Sequence, residues 1–257
     1  MSAIVAIPAR LKSTRFPNKV LAEIHGRPML WYVYQGVSKA ELINAVWVLT
    51  DSSEVFDAAI SWGAKAAMTS EDCPSGTARI ASVIDQLDGD IIINVQGDEP
   101  LMNSGVVDTM VASLEESDAD VVTPVYRIRS ADDITNLNIN KVVRASDNTA
   151  LYFSHSPIPH VRDEPVENWA SHTPYWGHVG VYGYRRNVLK EYDRLPEGQL
   201  ERVEMLEQLR LLEAGKKILT VEIDYHPLGV DVPSDLEKVK DLIDPNTFLP
   251  KSARPSR

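Results

Sequence analysis

One cysteine, Cys73, is all that 257 residues contain. It excludes an intrachain disulfide and a cysteine-rich metal site, fits a reducing compartment, and reads as a loop thiol without a role. Basic residues are in the minority, 26 against 37 acids, which argues against a nucleic-acid surface, since that needs a basic stripe. No apolar run is long enough to cross a bilayer, and the N-terminus lacks a charged segment leading into a signal-like apolar stretch. A cytoplasmic protein without membrane insertion is therefore expected. The sequence has neither GxxxxGK[ST] nor GxGxxG, so the P-loop and the dinucleotide fingerprint do not apply. The six histidines show no HExxH or other metal spacing, which leaves little ground for zinc. Internal repeats, low-complexity tracts and a domain-splitting linker are also missing.

What is present begins with residues 90–100, DIIINVQGDEP. A branched apolar run, Ile91 to Val95, reads as a buried strand that ends in Gln96, Gly97, Asp98 and Glu99. In open α/β sheets ligands gather at the carboxyl ends of strands, so this amide and carboxylate are placed for a substrate and a metal ion. An acidic turn without a role is the plainer alternative, and Glu99 reads as structural. The second feature follows Ile4 to Ile7, another short buried strand. Arg10, Lys12, Arg15 and Lys19 cluster there among Ser13, Thr14 and turn formers. Guanidinium forks, a mobile ammonium and hydroxyl donors suit a polyphosphate. A solvated basic loop is the alternative.

Between these features strands and helices alternate. Helices are expected over Pro28 to Lys39, Glu54 to Trp62, Thr77 to Leu87 and Gly105 to Glu115, and strands over Ala45 to Thr50, Lys65 to Met68 and Val121 to Tyr126. This rhythm predicts an α/β fold with a mainly parallel central sheet and helices on both faces. From about 130 to 183 it breaks. Four prolines and the aromatic segments TALYF and GVYGY suggest a smaller β-rich lid or dimerisation subregion. Helices near Asn187 to Tyr192 and Glu201 to Ala214, a strand Ile218 to Ile223 and a helix opened by Pro233 complete a single domain over 1–244. On the Glu201 helix, Met205, Leu206, Leu209 and Leu212 make an apolar stripe. The polar tail 245–257 is expected to be disordered.

Taken in order, PAR-x3-TR-x-P-x-K, HGRPM, TDSSEVF, SGTARIA, NVQGDEP, ALYFS, GVYGY, EMLEQLR and GVDVPSDL make the chain similar to the 3-deoxy-manno-octulosonate cytidylyltransferases from about Ile4 to Val239. The first loop is shared with many sugar nucleotidyltransferases; NVQGDEP with ALYFS and EMLEQLR is more specific. The resemblance implies a Rossmann-like nucleotidyltransferase fold, a homodimer, and transfer of CMP from CTP to the anomeric hydroxyl of an acidic 3-deoxy sugar with Mg²⁺.

On that resemblance Arg10, Ser13, Arg15 and Lys19 hold the triphosphate, and Lys19, Asp98 and Arg15 are the catalytic group. Lys12 is surface charge. Ser75 and Gly76 lie near cytosine, although Ser75 or Thr77 could equally cap a helix. Arg79, one turn further on, reads as a solvent or structural residue, with a nucleotide contact as the alternative. Asp98 and Asp231 are the metal ligands, Asp231 being otherwise a helix-start acid. Gln96, Arg162, His178, Tyr184, Glu207 and Gln208 face the sugar. One position departs from the family: His155 follows ALYFS where Arg is usual, which opens the possibility of a variant sugar or of an arginine supplied from elsewhere. Competing readings are a cytidylyltransferase for an amino-substituted or sialic-acid-like sugar, and a non-catalytic nucleotide-binding regulator.

Overall fold

The structure, a computed structural model, describes residues 1–13, 16–224, 228–245 and 247. Arg15 lies outside the described residues, as does most of the 245–257 tail.

Every residue of β1 (Ala3–Pro8) is buried. Because side chains alternate across a strand, Ala3, Val5 and Ile7 pack into one apolar cluster while Ile4 and Ala6 pack into another, so the strand is covered on both faces. The basic loop follows, then a single 3-10 turn at Lys19–Leu21 and a small hairpin, β2 (Glu23–Ile24) and β3 (Arg27–Pro28). His25 and Gly26 turn the hairpin with φ of 48° and 77°, the left-handed pair that a two-residue connection requires.

The expected alternation then appears: α1 (Met29–Val37), β4 (Ala45–Thr50), α2 (Ser53–Ser61), β5 (Lys65–Met68), α3 (Gly76–Ser82) and β6 (Ile91–Asn94). Ser52 and Ser75 cap α2 and α3 by accepting backbone N–H groups. The strands lie in the order β5-β4-β1-β6, all parallel. The chain thus leaves β1 in one direction to β4 and returns past it to β6. The crevice between the carboxyl ends of β1 and β6 is the topological switch point, where open α/β sheets bind ligands.

Beyond β6 come α4 (Ser104–Glu116), β7 (Val121–Ile128), α5 (Ala131–Thr135), β8 (Lys141–Arg144), β9 (Ala150–Ser154), α6 (Trp169–His172), β10 (Tyr175–His178) and β11 (Tyr182–Arg185). β11 runs antiparallel between β6 and β7. The β-rich segment 130–183 is an antiparallel extension, β7-β10-β8-β9, continuous with the same sheet. The chain closes with α7 (Arg186–Tyr192), α8 (Gln199–Glu204), α9 (Gln208–Glu213), β12 (Ile218–Glu222) and α10 (Pro233–Leu242). β12 lies parallel to β7.

Two expected helices are interrupted. The one over Thr77 to Leu87 breaks at Val83 and continues as a 3-10 turn, Ile84–Gln86. The one over Glu201 to Ala214 is two helices, separated where Met205 takes a left-handed φ of 55°. Met205 is 81 % exposed and does not belong to the apolar stripe that helical periodicity assigned to it; Leu206 and Leu209 are buried. A third apolar cluster stands apart from the two sheet faces and joins Ile24, Met29 and Tyr32 to Val230, Leu236 and Val239. It docks α10 on the hairpin and α1.

Candidate active site

At the switch point the protein has a cleft of about 240 Å³ whose lining includes Arg10, Ser13 and Lys19 from the basic loop, Ser75, Gly76 and Arg79 from the start of α3, Gln96 and Asp98 after β6, and Asp231 before α10. These are the strand-end acid, the cationic loop and the small-residue loop that the sequence singled out, brought together from four parts of the chain. Lys12 is outside the cleft, 82 % exposed and 2.5 Å from Glu71, in keeping with surface charge.

Lys19 is the centre of charge. Its Nζ lies 2.5 Å from Asp98 Oδ2 and 3.5 Å from Asp231 Oδ1, so the two carboxylates converge on one cation. Asp231 is held there by its backbone: its N–H and that of Val232 both donate to Asp235 Oδ2 at 3.2 Å, which also satisfies the start of α10. Val230 N–H donates to the Asp98 carbonyl at 3.0 Å, linking the two acidic segments. Glu99 turns the other way. Its Oε2 is buried without a hydrogen-bond partner, and burial, followed by the adjacent Asp98, pushes the carboxyl up to about 8. It stands apart from the two carboxylates that face Lys19, consistent with a structural place. Two hard carboxylates aimed at one point, facing an open cleft, are a suitable donor set for Mg²⁺, which takes one or two carboxylates together with substrate phosphate oxygens.

On the opposite wall, Ser75 Oγ caps α3 by accepting Ala78 N–H at 3.2 Å. Both readings of Ser75 therefore coexist, cap and cleft wall. Gly76 sits in close approach: a Cβ there would lie 3.0 Å from both amide atoms of Gln96 and from Pro8 Cγ. Gln96 in turn donates to Asn94 Oδ1 at 3.0 Å. Arg79 is 2 % exposed and bonds Thr69 and Asp51, while Asp51 Oδ1 accepts Leu11 N–H at 3.1 Å. The solvent reading of Arg79 is replaced by a structural one, since it ties α3 to the root of the basic loop.

Behind the Ser75 wall lies a continuous polar network. Thr77 Oγ1 donates to Glu207 Oε1 at 3.2 Å, stands 3.2 Å from the Tyr184 hydroxyl, and accepts from Asn94. With its one proton committed to Glu207, Thr77 accepts from Tyr184. Burial raises the Glu207 carboxyl, and the hydroxyls of Ser75, Thr77 and Tyr192 oppose that rise. Tyr182 stacks obliquely between Tyr184 and His178, with ring centroids 5.8 Å and 5.4 Å away, and donates to Gln208 Oε1 at 3.0 Å. The break at Met205 is what turns Glu207 and Gln208 into this network.

His178 is neutral, its imidazole pushed down to about 3 by burial. The Thr123 hydroxyl donates to the carbonyls of Val181 and Val179, so it accepts from His178 Nε2–H at 3.0 Å. That fixes the tautomer and leaves Nδ1 as a lone pair. His178 Nδ1, Gln208 Nε2 and Asn140 Oδ1 are all buried side-chain atoms without a protein partner among the described residues. Unpaired buried polar atoms are costly. Of the residues expected on the sugar side, Gln96 lines the cleft, whereas His178, Tyr184, Glu207 and Gln208 lie behind its wall and do not.

One expected sugar-side residue lies far from the cleft. Arg162 stands 89 % exposed, paired with its neighbour Asp163 at 3.3 Å; the structure does not bring it to the cleft, because it lies in the loop before α6. For His155, whose departure from the family left a variant sugar or an arginine from elsewhere as readings, the ring bonds the Leu137 carbonyl through Nδ1 at 2.7 Å and does not line the cleft. Thr123, Tyr182 and Tyr192 were not singled out from the sequence. The i, i+2 spacing of Tyr182 and Tyr184 in GVYGY was the available signal for one of them.

The cytidylyltransferase family profile matches residues 4–218. A 3-deoxy-manno-octulosonate cytidylyltransferase of Solibacter usitatus is 45 % identical over 237 residues, covering 92 % of each chain. One from Geobacter sulfurreducens is 43 % identical over 245 residues, covering 93 % of this chain and 98 % of its own. The solved structure of a CMP:2-keto-3-deoxy-manno-octonic acid synthetase complexed with CTP superposes with a TM-score of 0.88 at 41 % identity, over 94 % of this chain and 98 % of that one. At 12 % identity, a glucose-1-phosphate thymidylyltransferase structure from Bacillus anthracis shares the fold, with a TM-score of 0.66 over 94 % of this chain and 95 % of that one. The chain belongs to the 3-deoxy-manno-octulosonate cytidylyltransferase family.

Proposed function

We propose that this enzyme transfers CMP from CTP to the anomeric hydroxyl of 3-deoxy-manno-octulosonate, yielding CMP-octulosonate and pyrophosphate for lipopolysaccharide synthesis. The observation that carries the reading is the convergence of Asp98 and Asp231 on Lys19 at a strand end facing the Ser75–Gly76 wall. In the reaction the sugar oxygen bonds to the α-phosphorus, the bridge to the β-phosphate breaks, and the hydroxyl proton is lost. Two anions must meet, so positioning and charge neutralisation dominate.

Mg²⁺, held by Asp98 and Asp231, would neutralise phosphate charge. Lys19 leaves the carboxylates for the departing pyrophosphate, with Arg10, Ser13 and Arg15 on the remaining phosphate oxygens. The wall at Ser75 and Gly76 takes cytosine. The sugar lies against Gln96, with the buried network of His178, Tyr184, Glu207 and Gln208 behind that wall.

A homodimer is part of the same reading. Exposed Leu137, Leu151, Val203 and Met205 come from segments that Glu204 and His155 tie together, and sedimentation of Val203→Glu beside the parent tests that face. No helix among the described residues is long and apolar enough to cross a membrane. The deciding experiment is pyrophosphate release with CTP, Mg²⁺ and a panel of acids including octulosonate, its amino-substituted form and a sialic acid. A preference for any acid other than octulosonate overturns the assignment.

A further inference from the structure

Lys141 is fully buried, yet it lines no part of the cleft. Its ammonium donates to three backbone carbonyls: Asn136 at 2.8 Å, Ile139 at 2.6 Å and His155 at 2.6 Å. All three N–H groups of a lysine are thereby used, the condition under which a buried ammonium is tolerated. Burial nevertheless pushes it down to about 8, with Glu204 acting to raise it.

Glu204 answers from the other side of the same residue, His155. Its Oε2 accepts His155 N–H at 3.1 Å, and its Oε1 accepts the Ser154 hydroxyl at 2.6 Å. The backbone of His155 is therefore gripped at both ends by opposite charges, its N–H by a carboxylate and its carbonyl by an ammonium. Charge-assisted bonds of this kind are about twice as strong as neutral ones.

The consequence lies in what these two residues carry. Lys141 follows Asn140, whose carbonyl accepts His178 N–H at 2.8 Å and whose side chain has an unpartnered buried oxygen. Glu204 precedes the Met205 break that delivers Glu207 and Gln208. We infer that Lys141 and Glu204 are positioning residues that lock the end of β9 between the Asn140–His178 register and the α8–α9 turn, and so set the spacing of the sugar-side wall. The inference rests on the octulosonate reading of the site. It differs from a simple stabilising role because the segments it joins carry the sugar-side residues His178, Glu207 and Gln208, of which Glu207 alone also reaches the Ser75 wall, through Thr77.

The test uses the full-length enzyme with Lys141→Met and Glu204→Gln, each checked for a cooperative melt. CTP affinity is measured by calorimetry, and KM for octulosonate and kcat from pyrophosphate release. The expected result is a rise in the octulosonate KM of about tenfold or more with CTP affinity within about twofold of the parent. Glu204→Gln keeps the side-chain volume, so it serves where Lys141→Met fails to fold. An unchanged octulosonate KM in a folded Glu204→Gln variant, or a parallel loss of CTP affinity, overturns the inference. A parent enzyme that does not use octulosonate would instead overturn the functional reading on which it rests.

Discussion

Lys19 Nζ stands 2.5 Å from Asp98 Oδ2, so in the free enzyme the lysine proposed to stabilise pyrophosphate serves as counter-ion to the carboxylate proposed to hold the metal. One residue then has two partners at different stages. With Asp231 Oδ1 also within 3.5 Å, removing the ammonium takes one counter-charge away from both carboxylates.

Lys19→Ala should therefore have opposite effects on two measurements. Without nucleotide, Mn²⁺ binding followed by electron paramagnetic resonance should tighten, because a competing cation has gone. In turnover, kcat should fall by about 10²-fold while KM for CTP changes much less, since the interaction is stronger in the transition state. Weaker Mn²⁺ binding in the variant would refute the counter-ion role, and a change confined to KM would make Lys19 a ground-state contact.

Asp98→Asn keeps the shape and removes one hard anionic ligand. Turnover should fall by about 10²-fold or more with the melting temperature essentially preserved, because the side chain lies at the cleft and not in the core. Near-normal turnover at saturating Mg²⁺ would show that Asp98 does not hold the metal.

His178 supplies a pH signature in stability. Its folded pKa is depressed to about 3, so its contribution is complete above the unfolded value near 6.5 and is lost as pH falls toward the folded value. Between pH 6.5 and 5 the unfolded state takes a proton that the folded state refuses, costing about 2 kcal/mol. Urea titrations at pH 7 and pH 5 should show a smaller acid-side loss for His178→Gln than for the parent. Equal losses would mean that the imidazole becomes protonated in place.

Cys73 lines the cleft beside Ser75 and is the sole thiol. Alkylation by a maleimide should be stoichiometric, should inhibit, and should be slowed by CTP. Protection by octulosonate alone would place the thiol on the wrong side of the cleft. This location is not legible in the sequence, since a lone cysteine in a polar loop carries no spacing to interpret.

Legibility in the sequence followed the locality of the physics. Buried strands such as Ile91–Asn94 declare themselves by composition, and Ser52 and Asn103 mark helix starts by local capping, so the parallel half of the sheet and the residues at its carboxyl edge could be read directly. The Met205 break could not. Its left-handed turn opposes both helix propensity and apolar periodicity, and it is held by tertiary bonds of Glu204 and Glu207 to segments far along the chain. Arg162 and His155 illustrate a different limit. A family position carries a residue's chemistry, but the ring of His155 answers to the nearby Leu137 carbonyl, and the direction of a loop side chain is not encoded in a motif.

The satellite core around α10 has a kinetic consequence. Lys19 and Asp231 are separated by 212 residues, and they meet only when α10 packs on the hairpin and α1 through Leu236, Val239 and Ile24. Closing so long a loop comes late, after the sheet has drawn its own distant strands together. Catalytic competence on refolding should thus lag behind the far-ultraviolet signal of the sheet, and a nascent chain that has not yet released α10 presents phosphate-binding cations without one of the carboxylates that face them.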